Sequence, residues 1–550
     1  MNVARYLVDA LLREGVETIF GYPGGAMLPF YDALYDVPAL KHVLVRHEQA
    51  AAMAADGYAR STGKVGVCVS TSGPGATNLV TGIANAYLDS IPMVAIAGQV
   101  SSTAIGTDAF QEVDTIGITM PVVKHSYSLR SPADAPFVVA EAFKLACSRR
   151  PGPVFIELPR DIASSDMPSL EPKLSKIDPL PMADLKALST ARELMKKSAR
   201  PVLYVGGGVR AAGAAAQLRR FVDAAGVPTV ATLQGLGALP GRHPLFLGML
   251  GMHGAKAANS AVQECDLLIC AGARFDDRVT GVLEKFAPDA RVIHLDIDPS
   301  EMGRIRRPDA AVIGDLKGSL AGLTQDLSVD SWRKRCVERR DKLTVESAKS
   351  PLTQGGPALL FALSNAAPSA VISSDVGQHQ MWVAQCCRFE RPENHLSSGG
   401  LGAMGYGLPA AVGAQLGRPG ELVVSVSGDG SIMMNLQELA TINRYRLPIK
   451  IIVMDNGTLG MVRQWQELFL ERRYSEVDLW DNPDFVGLAK AFNIPGFKVT
   501  PGDSPVDAVA RLLSYEGPAL MHVIIDPADN VWPIVPPGRS LSEMLEGGAA

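Results

Sequence analysis

A glycine-bracketed aspartate and an asparagine one strand later carry the clearest chemistry in this chain. Across residues 428–456, GDGSIMMNLQELATINRYRLPIKIIVMDN, a strand reading ELVVSVS enters a GDG turn, a helical stretch follows, and a second strand, PIKIIVM, ends at Asp455 and Asn456. Asp429 and Asn456 lie 456 − 429 = 27 residues apart. Each closes a strand, and neighbouring strands of a parallel sheet end on the same edge. One carboxylate and one amide oxygen, with the other positions open, suit Mg²⁺ carried in on a phosphate. Gly428 and Gly430 let the backbone approach that phosphate, and a helix N-terminus at Ser431 favours negative charge. A second candidate is Glu48, set between HVLV and an alanine-rich helix in VRHEQAAAMAADGYAR. Burial there favours its neutral form and eases proton exchange. A third is the run Gly206, Gly207, Gly208 after PVLYV, where three glycines permit close approach of a diphosphate.

Such residues need elements that collect them on common edges. Short apolar runs bounded by glycine alternate with helical patterns, which indicates parallel sheets wrapped by helices. In the first unit 66–70 (GVCVS), 93–97 (MVAIA) and 153–158 (PVFIEL) predict strands, and 76–88 predicts a helix. Residues 162–185 carry Pro, Asp, Ser and Lys without periodicity and predict a linker. A second unit opens at 201–205, continues through 267–270 and 292–296, and gives way to a charged connector at 332–350. The third has strands at 370–373, 422–426, 449–454 and 519–525. The expected fold is α/β: three domains of flavodoxin-like or Rossmann-like parallel sheet flanked by helices, at 1–165, 186–325 and 350–530, then an arm at 531–550. A chain of 550 residues is too long for one core, so several domains are required.

Composition narrows the partners. With 47% hydrophobic and 20% charged residues the chain has a soluble globular profile. A net charge of −5 offers nucleic acid or an anionic membrane no attraction. No uncharged apolar run reaches the ~20 residues of a membrane span. The seven cysteines are scattered without a CxxC pair, as expected of reduced thiols in a cytoplasmic protein. The opening MNVARYLVDALLREG already reads as an amphipathic helix, so no signal or transit peptide is expected.

From residue 20 to residue 545 the chain resembles the acetolactate (acetohydroxyacid) synthase large subunits. The likeness is carried by FGYPGGAMLPFYDALYD, TSGPGATNLVTGIANA, IGTDAFQEVD, GMLGMHGAKAAN, GARFDDRVTG, GQHQMW, SSGGLGAMGYGLPAA, MVRQWQ and VWPIVPPG. The GDG–helix–strand–Asn frame matches the thiamine-diphosphate motif. The resemblance implies a pyrimidine-binding, a central FAD-binding and a diphosphate-binding domain, with thiamine diphosphate, Mg²⁺ and FAD as cofactors. The implied reaction decarboxylates pyruvate and condenses the two-carbon hydroxyethyl unit with pyruvate or 2-ketobutyrate. The products are 2-acetolactate or 2-aceto-2-hydroxybutyrate, for branched-chain amino-acid biosynthesis. Glu48 is then the glutamate that hydrogen-bonds the cofactor's pyrimidine and promotes its imino tautomer, which takes the thiazolium C2 proton.

The same resemblance assigns the remaining residues. Asp429, Asn456 and Thr458 hold Mg²⁺. Val376, Gly377, Gln378, His379, Gly402, Gly428, Gly430, Ser431, Gly460 and Met461 surround thiamine diphosphate, and Met404 is wedged beneath it. Gly25, Gln111 and Lys124 line the cavity around the reacting carbon, Gln111 as a hydrogen-bonding group and Lys124 as positive charge. The FAD segments comprise Arg150 from the first domain, Gly206, Gly207, Gly208, Thr232, Leu233, Leu250, Gly251, Met252, His253, Gly272, Ala273, Arg274, Asp276, Arg278, Asp296, Ile297 and Asp315; the flavin is structural. Trp465 narrows the acceptor pocket in favour of 2-ketobutyrate. Two positions depart from common members: ELPRD puts Arg160 where many have Lys, a fork in place of an ammonium, and Ser101 stands where plant and fungal relatives have Pro.

An FAD-using pyruvate oxidase shares the plan and both organic cofactors, but IGTDAFQEVD, MVRQWQ and VWPIVPPG favour the synthase. Glyoxylate carboligase carries an apolar residue in place of Glu48. A cofactor-binding scaffold without turnover is disfavoured by intact Glu48, Met404, Asp429 and Asn456. The implied partners are a second copy of the chain or more and a small regulatory subunit, with no nucleic acid and no membrane.

Overall fold

The computed structural model describes residues 1–169, 173–347 and 355–547. The apolar runs form three six-stranded sheets, every described pairing parallel. The first contains β1 (Thr18–Gly21), β2 (Lys41–Leu44), β3 (Gly66–Ser70), β4 (Met93–Gln99), β5 (His125–Ser128) and β6 (Pro153–Pro159), in the order β2-β1-β3-β4-β6-β5. The second contains β7 (Pro201–Val205), β8 (Thr229–Ala231), β9 (Phe246–Met249), β10 (Leu267–Ala271), β11 (Arg291–Asp296) and β12 (Ala310–Ile313), ordered β12-β11-β10-β7-β8-β9. The third contains β13 (Val371–Ser374), β14 (His395–Ser397), β15 (Val423–Gly428), β16 (Lys450–Asp455), β17 (Gly496–Val499) and β18 (Ala519–Ile524), ordered β14-β13-β15-β16-β18-β17. Central strands such as β4, β6 and β10 are buried along their whole length, as continuous apolar runs covered by helices on both faces must be.

Each order reverses toward its middle, and the first and third reverse again at the edge pairs β6/β5 and β18/β17. The strand order turns at β1/β3, at β7/β10 and at β13/β15, and the crevice beyond the carboxyl ends of such a pair is where α/β sheets bind ligands. The turns leaving those six strands hold Gly25, Thr71, Gly206–Gly208, Gly272, Gly377–His379 and Gly428–Gly430. Topology alone therefore gathers most of the sequence motifs.

The predicted strand cores appear with ends shifted by a residue or two. Short strands of three or four residues, among them β5, β8, β12, β14 and β17, carry too little periodicity to be seen in sequence. One boundary shifts locally. The short helix Asp429–Ile432, capped by Gly428, begins two residues before Ser431, and Ser431 Oγ accepts the Gly428 amide at 3.0 Å. Asn435 then leaves helical geometry at φ −139°, ψ 28°, and its amide donates to Gly405 O at 2.7 Å. Helical chain resumes at Leu436–Glu438 and Leu439–Tyr445.

The first and third sheets are locked through two helices, Glu48–Thr62 and Gly407–Gly417. A Cβ on Gly413 would collide with Ala54 O, and one on Gly57 with Ala410 O, so the backbones touch. Arg60 ties all three sheets: its buried guanidinium donates to Asp56 and Asp89 of the first unit, to Gln234 Oε1 of the second (3.0 Å) and to Ser397 O of the third (3.0 Å). Beyond residue 530 the chain crosses the central unit, with Val535 N donating to Met252 O at 2.8 Å. The expected start of the third domain at 350 lies outside the described residues. Among the described residues no helix is long and apolar enough to cross a membrane.

Candidate active site

The turn after β15 places Asp429 almost fully buried, with Oδ2 accepting from Asn482 Nδ2 at 2.8 Å. Asn482 also reaches Asp455 Oδ1 at 3.3 Å, and Asp455 Oδ2 lies 2.7 Å from His522 Nε2. Burial, and then the Asp455 carboxylate, push Asp429 well above the usual carboxylate range. Two carboxylates packed this closely are relieved by a cation. Asn456 Oδ1 accepts from the Thr458 amide and hydroxyl, both at 3.1 Å, and its Nδ2 donates to Gln378 Oε1 at 3.1 Å. Asp429, Asn456, Thr458 and Gln378 are thus brought together. Among the described residues no cluster of three or more His, Cys, Asp or Glu could hold a metal; these oxygens need a phosphate to complete the shell, as Mg²⁺ commonly does.

His379 follows β13 at the reversal of the third sheet. Burial takes its imidazole down to about 3, so it is neutral, and Nε2 is buried without a hydrogen-bond partner. A Cβ on Gly428 would sit 2.9 Å from this ring. Gly377, at φ 151°, adopts a conformation that L side chains rarely adopt. An orphaned polar atom beside a glycine turn is the cradle a diphosphate oxygen would fill, so the residues present fit the diphosphate and its Mg²⁺. Met404 approaches the same turn: its Cε is 3.9 Å from a Cβ built on Gly430. The loop bearing it is clamped from both sides. Asp375 accepts from Gly405 N and Gly407 N at 2.8 and 2.9 Å, while Asp89 accepts from Gly399 N and Gly400 N at 3.0 and 2.8 Å. Sequence reasoning passed over Asp375, Asn482 and His522, which stand in no motif.

In the first sheet Glu48 opens its helix, and Oε2 accepts from Asn78 Nδ2 at 3.0 Å. Within one chain it is half-buried, less enclosed than the sequence expectation. Nearby, Tyr31 is hydrogen-bonded to His42 Nε2 at 3.1 Å, and burial followed by the Glu48 charge raises its phenol further. Gly24 is required for packing, since a Cβ would meet Thr71, whereas Gly25 faces open space. Gln111, at φ 62°, packs its backbone against Gly73. Arg160 is exposed at the end of β6.

Lys124 is not with this group. It precedes β5, on the amino edge of the sheet, and its ammonium is spent on carbonyls of Leu145, Ser148 (2.8 Å) and Arg150 (2.9 Å) and on Ser148 Oγ (3.2 Å). The expectation that it lines the cavity of the reacting carbon is corrected by that edge. Within the chain it sits at the seam to the central unit. Arg150 crosses the same seam, donating to Ser90 Oγ (2.8 Å), Asp298 (3.2 Å) and Glu301 (2.8 Å).

The central sheet gathers the remaining segments along its carboxyl edge. Gly206 and Gly208 have a cause the sequence did not reveal: a Cβ at either would strike the backbone of Gly272. Gly207 alone of the three is clear of that contact; a Cβ there would lie 3.1 Å from the Gln234 side chain. The side chains of Thr232, Asp276, Asp296 and Asp315 are engaged with backbone amides at 2.8–3.1 Å. Met252 N donates to Arg278 O at 2.8 Å, joining two expected flavin segments, and His253, lowered to about 4 by burial, lies 3.3 Å from Pro533 O. A dinucleotide with backbone-facing contacts fits this edge, with Leu233, Leu250, Gly251, Ala273, Arg274 and Ile297 on the same turns.

Arg278 does something not anticipated. Its guanidinium stands 5.7 Å over the ring of Trp465, which is edge-on to Phe469 at 5.6 Å. An exposed cation from the central unit thus faces the aromatic wall of helix Gly460–Phe469, next to Gly460 and Met461.

Three family models match the chain in order: "Thiamine pyrophosphate enzyme, N-terminal TPP binding domain" over 1–118, its "central domain" over 188–323, and its "C-terminal TPP binding domain" over 375–523. The chain is 54% identical to the acetolactate synthase isozyme 2 large subunit of Escherichia coli (strain K12), over 99% of this chain and 100% of the relative. It is 48% identical to the acetolactate synthase large subunit of Parasynechococcus marenigrum, over 98% and 90% of the two chains. It is 45% identical to a probable acetolactate synthase large subunit of Methanocaldococcus jannaschii, over 99% and 95%.

Proposed function

The chain belongs to the acetolactate synthase large subunits among the thiamine pyrophosphate enzymes, and from that premise we propose how its residues divide the work. The protein is a carboligase that makes 2-acetolactate from two pyruvates, and 2-aceto-2-hydroxybutyrate when 2-ketobutyrate is the acceptor. Its cofactors are thiamine diphosphate, Mg²⁺ and FAD. When bound, thiamine diphosphate supplies a nucleophilic carbon that lets CO₂ leave pyruvate.

Asp429, Asn456 and Thr458 hold the ion, and the His379 Nε2 beside Gly428 meets the diphosphate. That orphaned nitrogen at the strand-order reversal is the observation that carries the reading. Glu48, held at Oε2 by the Asn78 amide, offers Oε1 for proton exchange with the pyrimidine ring. Met404, clamped by Asp375 and Asp89, shapes the floor under the cofactor. Arg278 offers its guanidinium to the acceptor's carboxylate while Trp465 covers its alkyl end, which assigns both residues to one pocket. The central carboxyl edge, with Arg150 across the seam, holds FAD.

The active unit is a homodimer. Large apolar side chains are exposed beside both halves of the site: Phe110 (88%) and Leu28 (54%) flank Gln111 and Gly25, and Met434 (51%) and Trp480 (90%) flank Asp429 and Asn482. Apolar surface gathered around two functional edges calls for a covering partner, and a second copy bringing its Glu48 to Asp429 covers both. A small regulatory subunit is a further partner by family.

The test is reconstitution. Protein stripped with a chelator should regain acetolactate formation only when Mg²⁺ and thiamine diphosphate are returned together. Full activity with thiamine diphosphate alone in the presence of chelator contradicts the assignment of Asp429, Asn456 and Thr458.

A further inference from the structure

β2 is the edge strand of the first sheet, and one row of its backbone groups has no strand to pair with. On the inner side Val45 N donates to Gly21 O at 3.2 Å, as a ladder should. On the outer side the third unit takes the place of a strand with side chains. Leu44 N donates to Tyr445 Oη at 2.8 Å, and Tyr445 Oη lies 3.3 Å from His42 O. Arg46 N, two residues on, donates to Glu438 Oε1 at 2.8 Å, and the second oxygen of Glu438 accepts from Thr441 Oγ1 at 2.6 Å. Two residues after Arg46 stands Glu48.

We propose that Glu438 and Tyr445 are positioning residues for Glu48, fixing the backbone that enters it by supplying the acceptors its edge strand lacks. The inference rests on the assignment of Glu48 to proton exchange with the cofactor. Glu438 is only 1% exposed. A carboxyl so buried needs partners: Thr441 serves it in its own unit, and the Arg46 amide, with the His47 amide beside it, in the other. Burial moves it up to about 7, despite the hydrogen bonds from Thr441 and Arg46. Its contribution is therefore that of an oxygen acceptor, present in either protonation state. A glutamine keeps that oxygen; an alanine strands the Arg46 amide. The two acceptors lie on the stretch that resumes directly after the metal turn, so the diphosphate half and the proton-exchange half of the protein share one rigid piece of chain.

The test compares wild type, Glu438→Gln, Glu438→Ala, Tyr445→Phe and Glu48→Gln as holoenzymes. Backbone amide exchange of the peptide spanning 42–50 is read by mass spectrometry, H/D exchange at thiazolium C2 of bound thiamine diphosphate by NMR, and kcat and KM for pyruvate by assay. Glu438→Gln should retain protection and kcat within about twofold, because the acceptor survives. Glu438→Ala should exchange the Arg46 amide at least about tenfold faster. Its C2 exchange and kcat should drop by roughly 10²-fold, the usual effect of a displaced reacting group, at nearly unchanged KM. Tyr445→Phe, which keeps the ring and so the packing, should release Leu44 and lower kcat about tenfold. Wild-type C2 exchange and kcat in Tyr445→Phe and Glu438→Ala overturn the proposal, and so does a Glu438→Gln as impaired as the alanine. If Glu48→Gln itself keeps full C2 exchange, the Glu48 assignment falls first; if it loses exchange while the other two do not, only the positioning role falls.

Discussion

At the scale of single residues the account rests on groups whose chemistry is set by one or two neighbours. Glu48 has Asn78 on one oxygen, so Glu48→Gln should fold, bind all three cofactors and lose about 10²–10⁴-fold in turnover, as removal of a general acid–base group does. Near-normal kcat at saturating thiamine diphosphate contradicts its role. Trp465 and Arg278 make a complementary prediction about the second substrate. Pyruvate and 2-ketobutyrate differ by one methylene, which an apolar pocket separates by ~1–3 kcal/mol, or roughly 10–200-fold. Trp465→Leu should erase most of a preference for 2-ketobutyrate while sparing acetolactate formation from pyruvate. The product ratio across a series of mixed substrates measures it, and an unchanged ratio makes Trp465 a packing residue. Loss of the Arg278 charge should instead raise the KM of both acceptors, since both carry the carboxylate. These residues were legible in sequence only through their motifs. That Arg278 faces Trp465 across two units, and that Lys124 lies on the far edge of its sheet, are facts of topology that no local pattern encodes.

At the scale of elements, the long buried strands and the turns behind them were legible because a strand covered on both faces must be uniformly apolar and its ligand turn glycine-rich. The GDG turn and Asn456 were readable for that reason. Their supports were not: Asn482 arrives from an irregular loop, and Asp375 sits one residue past β13 with no pattern to mark it. Gly206 and Gly208 were noticed for a diphosphate yet are fixed by the Gly272 backbone, a contact between turns that sequence separation hides. Asp429→Ala should cost Mg²⁺-dependent thiamine diphosphate affinity while FAD stays bound, because the two proposed cofactor sites lie on different sheets; calorimetric titration and the flavin spectrum separate the outcomes, and joint loss points to unfolding. Helix contact is tested at Gly413. With Ala54 O in the place of its missing Cβ, Gly413→Ala should destabilise by about 1–3 kcal/mol or more, seen as a lowered midpoint in denaturant with an unchanged slope.

At the scale of the whole molecule, three sheets of one class meet at one buried guanidinium, that of Arg60. Arg60→Ala leaves Asp56 and Asp89 without their cation and should destabilise the protein by about 3–5 kcal/mol, the usual result of removing one partner from a buried ion pair. It should also broaden unfolding as the sheets lose their common tie, which calorimetry would register. In the proposed homodimer a second copy completes the site, so mixing inactive Glu48→Gln with inactive Asp429→Ala should restore part of the activity once subunits exchange. The central claim is that this architecture joins two keto acids and does not oxidise one. Its most direct test follows pyruvate, product and dissolved oxygen together, with thiamine diphosphate, Mg²⁺ and FAD present. The account predicts one acetolactate and one CO₂ for every two pyruvates consumed, with oxygen unchanged. Oxygen consumed in proportion to pyruvate, with acetate or acetyl phosphate in place of acetolactate, would contradict it.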